Sequence, residues 1–188
     1  MREVVTTLDA LRELAVEQYG YVTTQQAINI GANHPALSML VKRGRLERKA
    51  HGVYRVPQIP HTPFDRYMMA ILWTGAPEAV LSHGTALDLY NVSDVNPSSI
   101  NVTVSKNRRI RRLGGDGYTL HYHDLHADQK DWIEGIPVTT FPTTVEQCID
   151  TVPTYLIRQA IENGSKLGLL IGEEAETLTA LLQQQGTS

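Results

Sequence analysis

The chain has 188 residues, 20 acidic against 17 basic side chains, and a formal net charge of −3. Apolar residues make up 41 %, and the 14 glycines bring the share to about 48 %, which excludes intrinsic disorder, collagen and coiled coil as the main architecture. The length admits one domain or two small ones. No apolar run approaches the ~18 residues that cross a bilayer, and the opening MREVVTTLDALREL lacks the apolar stretch of a secretory signal, so no membrane partner is expected. Cys148 stands alone, so an internal disulfide is impossible and a reducing cytoplasm is the expected compartment.

The charge is unevenly distributed. Residues 1–60 carry eight basic groups against five acidic ones, whereas residues 61–188 carry nine basic and fifteen acidic. Six of the N-terminal cations fall between Lys42 and Arg55, opposed only by Glu47. A basic module followed by an acidic one points to nucleic acid as the partner of the first part and something else as the partner of the second.

In chain order, Leu8, Leu11, Leu14 and Ala15 recur at helical spacing and predict an amphipathic helix over residues 7–19, ended by Gly20. Thr23 and Gln26 form a capping-box pattern that opens a second helix, stopping near Gly31. Asn33 or His34 caps a third helix with Pro35 in its first turn; Leu37, Leu40 and Val41 form its buried stripe, and Gly44 closes it. Its opposite face shows Ser38, Met39, Lys42 and Arg43. Residues 46–50 and 53–56 then alternate as two short strands about a His51-Gly52 turn.

Three short helices and a basic hairpin are the order of a winged helix-turn-helix. A helix fits the major groove, and its exposed face must offer donors to phosphates and base edges. The candidate DNA contacts are therefore Ser38, Lys42, Arg43, Arg45, Arg48, Lys49, His51 and Arg55, with Ser38 and Lys42 expected to face the groove. The competing reading is a three-helix domain with a solvated positive face, and winged helices also serve as protein-binding modules.

Residues 57–64, with three prolines, read as a linker. The expected organisation is a winged helix-turn-helix over residues 1–57, a linker over 58–63 and a small mixed α+β domain over 64–188, an α+β protein throughout. In that second domain, helices are expected after Thr62-Pro63 (with Tyr67, Met68, Ile71 and Leu72 inward) and after a Ser82 cap. Strands are expected over residues 99–105, 118–123 and 136–140. A helix over 144–150 with a Thr144/Gln147 capping box follows, then helices over 155–163 and 173–185. Between the first two strands, Lys106, Arg108, Arg109, Arg111 and Arg112 crowd into seven positions. This run reads either as a solvated loop or as a second contact to nucleic acid or to a partner.

The order YGYVTTQQA, HGVYRV, LSHGTALDLY, INVTVS, RRIRR and GIPVTTFPTTVEQCID, from about Leu8 to Asp150, resembles the AbiEi-type antitoxins. Those are the regulatory halves of type IV toxin–antitoxin systems used by bacteria in phage defence. The resemblance implies a cytoplasmic, non-enzymatic repressor that binds its own promoter through the winged helix. It also implies a second domain that counteracts an AbiEii-type nucleotidyltransferase toxin, with direct binding between the two not generally expected. The alternative is a stand-alone winged-helix transcriptional regulator whose second domain binds a ligand or a protein.

Enzymatic signals are weak by comparison. No strand with paired carboxylates and a lysine follows Asp150, as a nuclease would need. His121, His123, His126 and Asp124 could supply metal ligands, but no cysteine or glutamate completes a set, so no metal is expected. Ser82 beside His83 reads as a helix cap, since neighbours on a helix point about 100° apart. Cys148 reads as a core residue, and without a phosphate-cradling glycine loop no cofactor is expected.

Overall fold

The computed structural model describes residues 6–185 and divides into two units, each with its own sheet. Of the described residues, the first comprises 6–77 together with Arg109–Asp116, and the second comprises Glu78–Arg108 and 117–185.

In the first unit, α1 (Thr7–Val16), β1 (Tyr21–Thr23), α2 (Thr24–Asn29), α3 (His34–Lys42), β2 (Glu47–Ala50), β3 (Val53–Arg55) and α4 (Asp65–Thr74) follow one another. The caps are those the residues dictate. Thr23 accepts from the Gln26 N–H while the Gln26 side chain accepts from the Thr23 N–H, and Asn33 caps α3 with Pro35 in its first turn. Leu11 and Ala15 of α1, Ala27 of α2 and Leu37 of α3 meet Val22, Leu46 and Val56 in one buried cluster. The three strands form an antiparallel sheet in the order β1-β3-β2, with the His51-Gly52 turn between β2 and β3 and a bulge between Arg48 and Ala50. β1 was not expected from sequence, because its three residues are too few to show alternation.

The expected boundaries over residues 57–64 need correction. α4 was assigned to the second domain, yet it packs on β1 and β3, and the Phe64 ring lies 5.7 Å from that of Tyr19. The proline-rich stretch is anchored rather than free: Arg55 donates to the Ile59 carbonyl at 2.7 Å, and Thr62 donates through both its N–H and its hydroxyl to Asp65. Prolines with fixed φ suit an ordered turn as well as a linker.

The second unit is a five-stranded mixed sheet in the order β6-β5-β4-β8-β7, formed by β4 (Val80–Leu81), β5 (Ile100–Val104), β6 (Tyr118–Tyr122), β7 (Lys130–Ile133) and β8 (Ile136–Thr139). β4 pairs parallel with β8 and β5 parallel with β6; the other two pairings are antiparallel. α5 (His83–Tyr90), α6 (Phe141–Cys148), α7 (Thr154–Lys166) and α8 (Glu174–Gln185) supply a core that contains Leu87, Phe141, Val145, Ile157 and Leu178. Cys148 is fully buried in it, and desolvation pushes its thiol up to about 12, so it is an inert core residue. Two caps expected from sequence are not made. Ser82 occupies the N-cap position of α5 without using its hydroxyl there, and α6 begins at Phe141, so Thr144 lies inside the helix with its hydroxyl turned to Thr139. β4 and β7 were also not anticipated, being very short or poor in alternation.

Gly164 of α7 faces the Phe141 ring so closely that a Cβ would lie 2.2 Å from a ring carbon. Gly164→Ala should therefore lower the stability of the second unit by about 1–3 kcal/mol through overpacking, despite alanine's better helix propensity. Thermal unfolding followed by circular dichroism checks this; an unchanged or raised midpoint would contradict the packing.

Candidate nucleic-acid interface

Of the eight N-terminal candidates, seven are solvent-exposed: Ser38 and Lys42 on α3, Arg43 and Arg45 just after it, Arg48 and Lys49 on β2, and His51 in the turn. Ser38 and Lys42 are four residues apart on a helix and so share a face, opposite the buried Leu37. Lys49 pairs with Glu47 at 2.6 Å; the two side chains are 39 % and 48 % exposed, and such a surface pair is worth little.

Arg55 is the exception and a correction. It is 2 % exposed, because β3 is the central strand and Arg55 shares the inward face of Val53. Its guanidinium donates to the Ile59 and Val56 carbonyls at 2.7 and 3.5 Å, stands 3.5 Å from the Asp65 carboxylate and lies 6.0 Å from the centre of the Tyr21 ring. It cannot reach DNA and instead ties the wing to the segment that leads into α4. Burial pushes the Asp65 carboxyl up, but hydrogen bonds from Thr62 and His61 and the charge of Arg55 outweigh it and hold the group below its usual value. A carboxyl so lowered adds stability that is present above pH 3.8 and lost as pH falls through the lowered value.

The run from Lys106 to Arg112 is divided by its surroundings. Arg108 forms a bidentate pair with Glu78, at 2.7 and 2.8 Å, and this pair holds the Glu78 carboxyl below its ordinary value. Arg112 donates to the Trp73 carbonyl at 2.9 Å and to the His51 carbonyl at 3.3 Å, while the Trp73 indole N–H donates to the Leu113 carbonyl at 2.9 Å. These bonds dock the segment on α4 and on the wing turn; Gly75 is the position that leaves room, since a Cβ there would lie 2.1 Å from the Arg112 guanidinium. Lys106, Arg109 and Arg111 remain exposed.

The residues weighed for chemistry gather differently from their order in the sequence. His83 and His121 stack face to face, with ring centres 3.5 Å apart and planes 13° from parallel. Contrary to the expectation from helix geometry, His83 Nδ1 lies 3.0 Å from the Ser82 hydroxyl, because His83 has φ +50° and is not yet helical in its backbone. Ser82 is nonetheless fully buried and bonded to Thr103 at 2.7 Å, which denies it the role of a nucleophile. Asp124 accepts from Ser105 and Lys106; among the described residues, no three His, Cys, Asp or Glu side chains are placed to hold a metal ion. His83, His121, His123, Leu120, Glu146 and Gln147 line a cleft of about 480 Å³. Sequence order hid it, because its walls come from α5, β6 and α6.

Residues 9–57 match the family described as "Transcriptional regulator, AbiEi antitoxin". The match covers the stretch from α1 through β3, the helix-turn-helix with its wing, and within it carries the resemblance seen in the sequence. Among solved structures, the RV2827C protein from Mycobacterium tuberculosis is similar with a TM-score of 0.47 at 13 % identity, over 97 % of this chain and 78 % of that one. No curated protein matches. No helix among the described residues is long and apolar enough to cross a membrane.

Two outcomes follow from these contacts. Arg55→Ala should destabilise the first unit by about 3 kcal/mol, since it removes the cation beside the buried Asp65 carboxylate and the donor to the Ile59 and Val56 carbonyls, whereas Arg48→Ala should cost within about 0.5 kcal/mol. Equal unfolding midpoints for the two variants would contradict the assignment. Desolvation, with help from His121 and His123, lowers His83 from 6.5 to about 4, so the second unit should lose stability as pH falls between those values. Its unfolding midpoint should drop from pH 7 to pH 5, and His83→Gln should shrink that drop; an unchanged pH dependence in the variant would refute the cause.

Proposed function

We propose that the protein is a winged-helix DNA-binding antitoxin that represses its own operon and counteracts a nucleotidyltransferase toxin, without catalytic activity and in the cytoplasm. The observation that carries this reading is the exposure of cations on α3 and on the wing, the two elements a winged helix lays on a duplex, within a segment similar to AbiEi regulators. In this reading Ser38 and Lys42 enter the major groove, and Arg43, Arg45, Arg48, Lys49 and His51 contact the backbone. Arg109 and Arg111 extend that contact, because Arg112 pins their segment to the wing turn. Lys106, which belongs to the second unit, is read as a separate contact to nucleic acid or to a partner, whereas Arg108 is engaged by Glu78 and Arg112 is structural.

Binding to the DNA upstream of its own gene should depend steeply on salt, with about −0.9 in log–log slope for each phosphate contact. Lys42→Ala with Arg43→Ala should weaken that binding by at least roughly tenfold at fixed salt. Arg109→Ala with Arg111→Ala should make the slope shallower by about two contacts, whereas Arg108→Ala should leave it unchanged. Fluorescence anisotropy over a salt series reads all three, and unchanged affinity in the first double variant would contradict the docking. The antitoxin role is read by growth: co-expression should relieve the toxicity of the adjacent gene product. If the adjacent gene encodes no nucleotidyltransferase, the stand-alone regulator takes precedence.

A further inference from the structure

The cleft of the second unit is not used by the proposed DNA contacts. Its volume of about 480 Å³ falls within the roughly 300–1,000 Å³ of small-molecule sites. His83, at its edge, holds the sparsely populated φ of +50°, and its backbone N–H donates to the Gln147 side-chain carbonyl at 3.2 Å. Backbone strain held by a side chain across two helices is found where a site is prearranged.

The hydrogen bonds specify what the walls offer. Asn101 donates through its amide nitrogen to Thr85 and Ser99, so its oxygen accepts from His121 Nε2 at 2.9 Å, which leaves Nδ1 of that ring as an acceptor. Thr103 donates to Ser82, so the Ser82 proton goes to His83 Nδ1, which leaves His83 Nε2 as a donor. Gln147 uses its oxygen on the His83 N–H, which leaves its amide hydrogens, and the exposed Glu146 adds an acceptor. Leu125 adds an apolar side chain, whereas Leu120 and Tyr122 alternate with His121 along β6, so their side chains point to the opposite face of the sheet.

No lysine or arginine lines the cleft, and desolvation keeps both stacked imidazoles in the neutral form at neutral pH. A phosphate would meet no lysine or arginine and one carboxylate. A neutral planar ring carrying alternating donors and acceptors meets complementary atoms, together with imidazoles whose mutual stack leaves their outer faces for a further ring. We propose that this cleft is a nucleobase site, holding the base against the histidine stack and beside Gln147 and Glu146, with the sugar and any phosphate outside.

The test uses the full chain and the four ribonucleosides, each titrated while the ring signals of His83 and His121 are followed by NMR. At least one nucleoside should give saturable shifts, and its 5′-monophosphate should bind no more tightly. Gln147→Leu should weaken binding about tenfold, as expected for one lost hydrogen bond to the ligand. Because Gln147 also supports His83, Glu146→Leu on the exposed rim serves as the second variant and should weaken the same nucleoside without changing the unfolding midpoint. Short single-stranded RNA of the preferred base separates the sources: tighter binding at these ring signals identifies a base within a strand, and equal binding a free nucleoside. No saturable shift with any nucleoside, a preference for the phosphate, or binding indifferent to both substitutions would overturn the proposal. None of these outcomes depends on the DNA affinity of the first unit, so the two readings fail separately.

Discussion

A buried guanidinium organises the first unit. Arg55 leaves the central strand of the three-stranded sheet and satisfies two carbonyls of the turn that follows, the Asp65 carboxylate at the head of α4, and the face of Tyr21. A charge taken out of water is tolerable only when so surrounded. The result is that the wing, the proline-rich turn and α4 form one body. The wing's other cations are then held on a fixed support, which in the proposed docking would lower the entropy lost on meeting a duplex.

The same run of cations therefore divides into two chemistries. Residues on the edge strand and in the turn, such as Arg48 and His51, point to water, while the one on the central strand is structural. The second basic run divides in the same way: Arg108 answers a carboxylate and Arg112 answers two carbonyls, leaving Lys106, Arg109 and Arg111 with their charge exposed. Counting positive charges in the sequence overstates the surface available to a polyanion, and only hydrogen-bond partners show which charges remain.

Much of the first unit was legible because its signals are local. The Thr23/Gln26 capping box, Asn33 before Pro35 and the glycine-marked turn of the hairpin each depend on a few neighbouring residues, and each is made as read. What failed was set by distant partners. Arg55 looks like any wing cation until Asp65 and Ile59 are brought to it, and Ser82 looks like a cap until Thr103 claims its hydroxyl. The strands β1, β4 and β7 draw their existence from the strands beside them, and the histidine cleft joins residues separated by more than sixty positions. Such features have no period in the sequence.

The central claim is that a duplex docks on α3 and the wing while Arg55 stays internal. Its most direct measurement is NMR of the labelled full chain titrated with the DNA upstream of its gene, following backbone amides together with arginine side-chain signals. The account predicts the largest changes across residues 38–51 and at the Arg48 side chain, with the Arg55 signal unmoved. Changes confined to the second unit, or a displaced Arg55 signal with a silent α3, would contradict it.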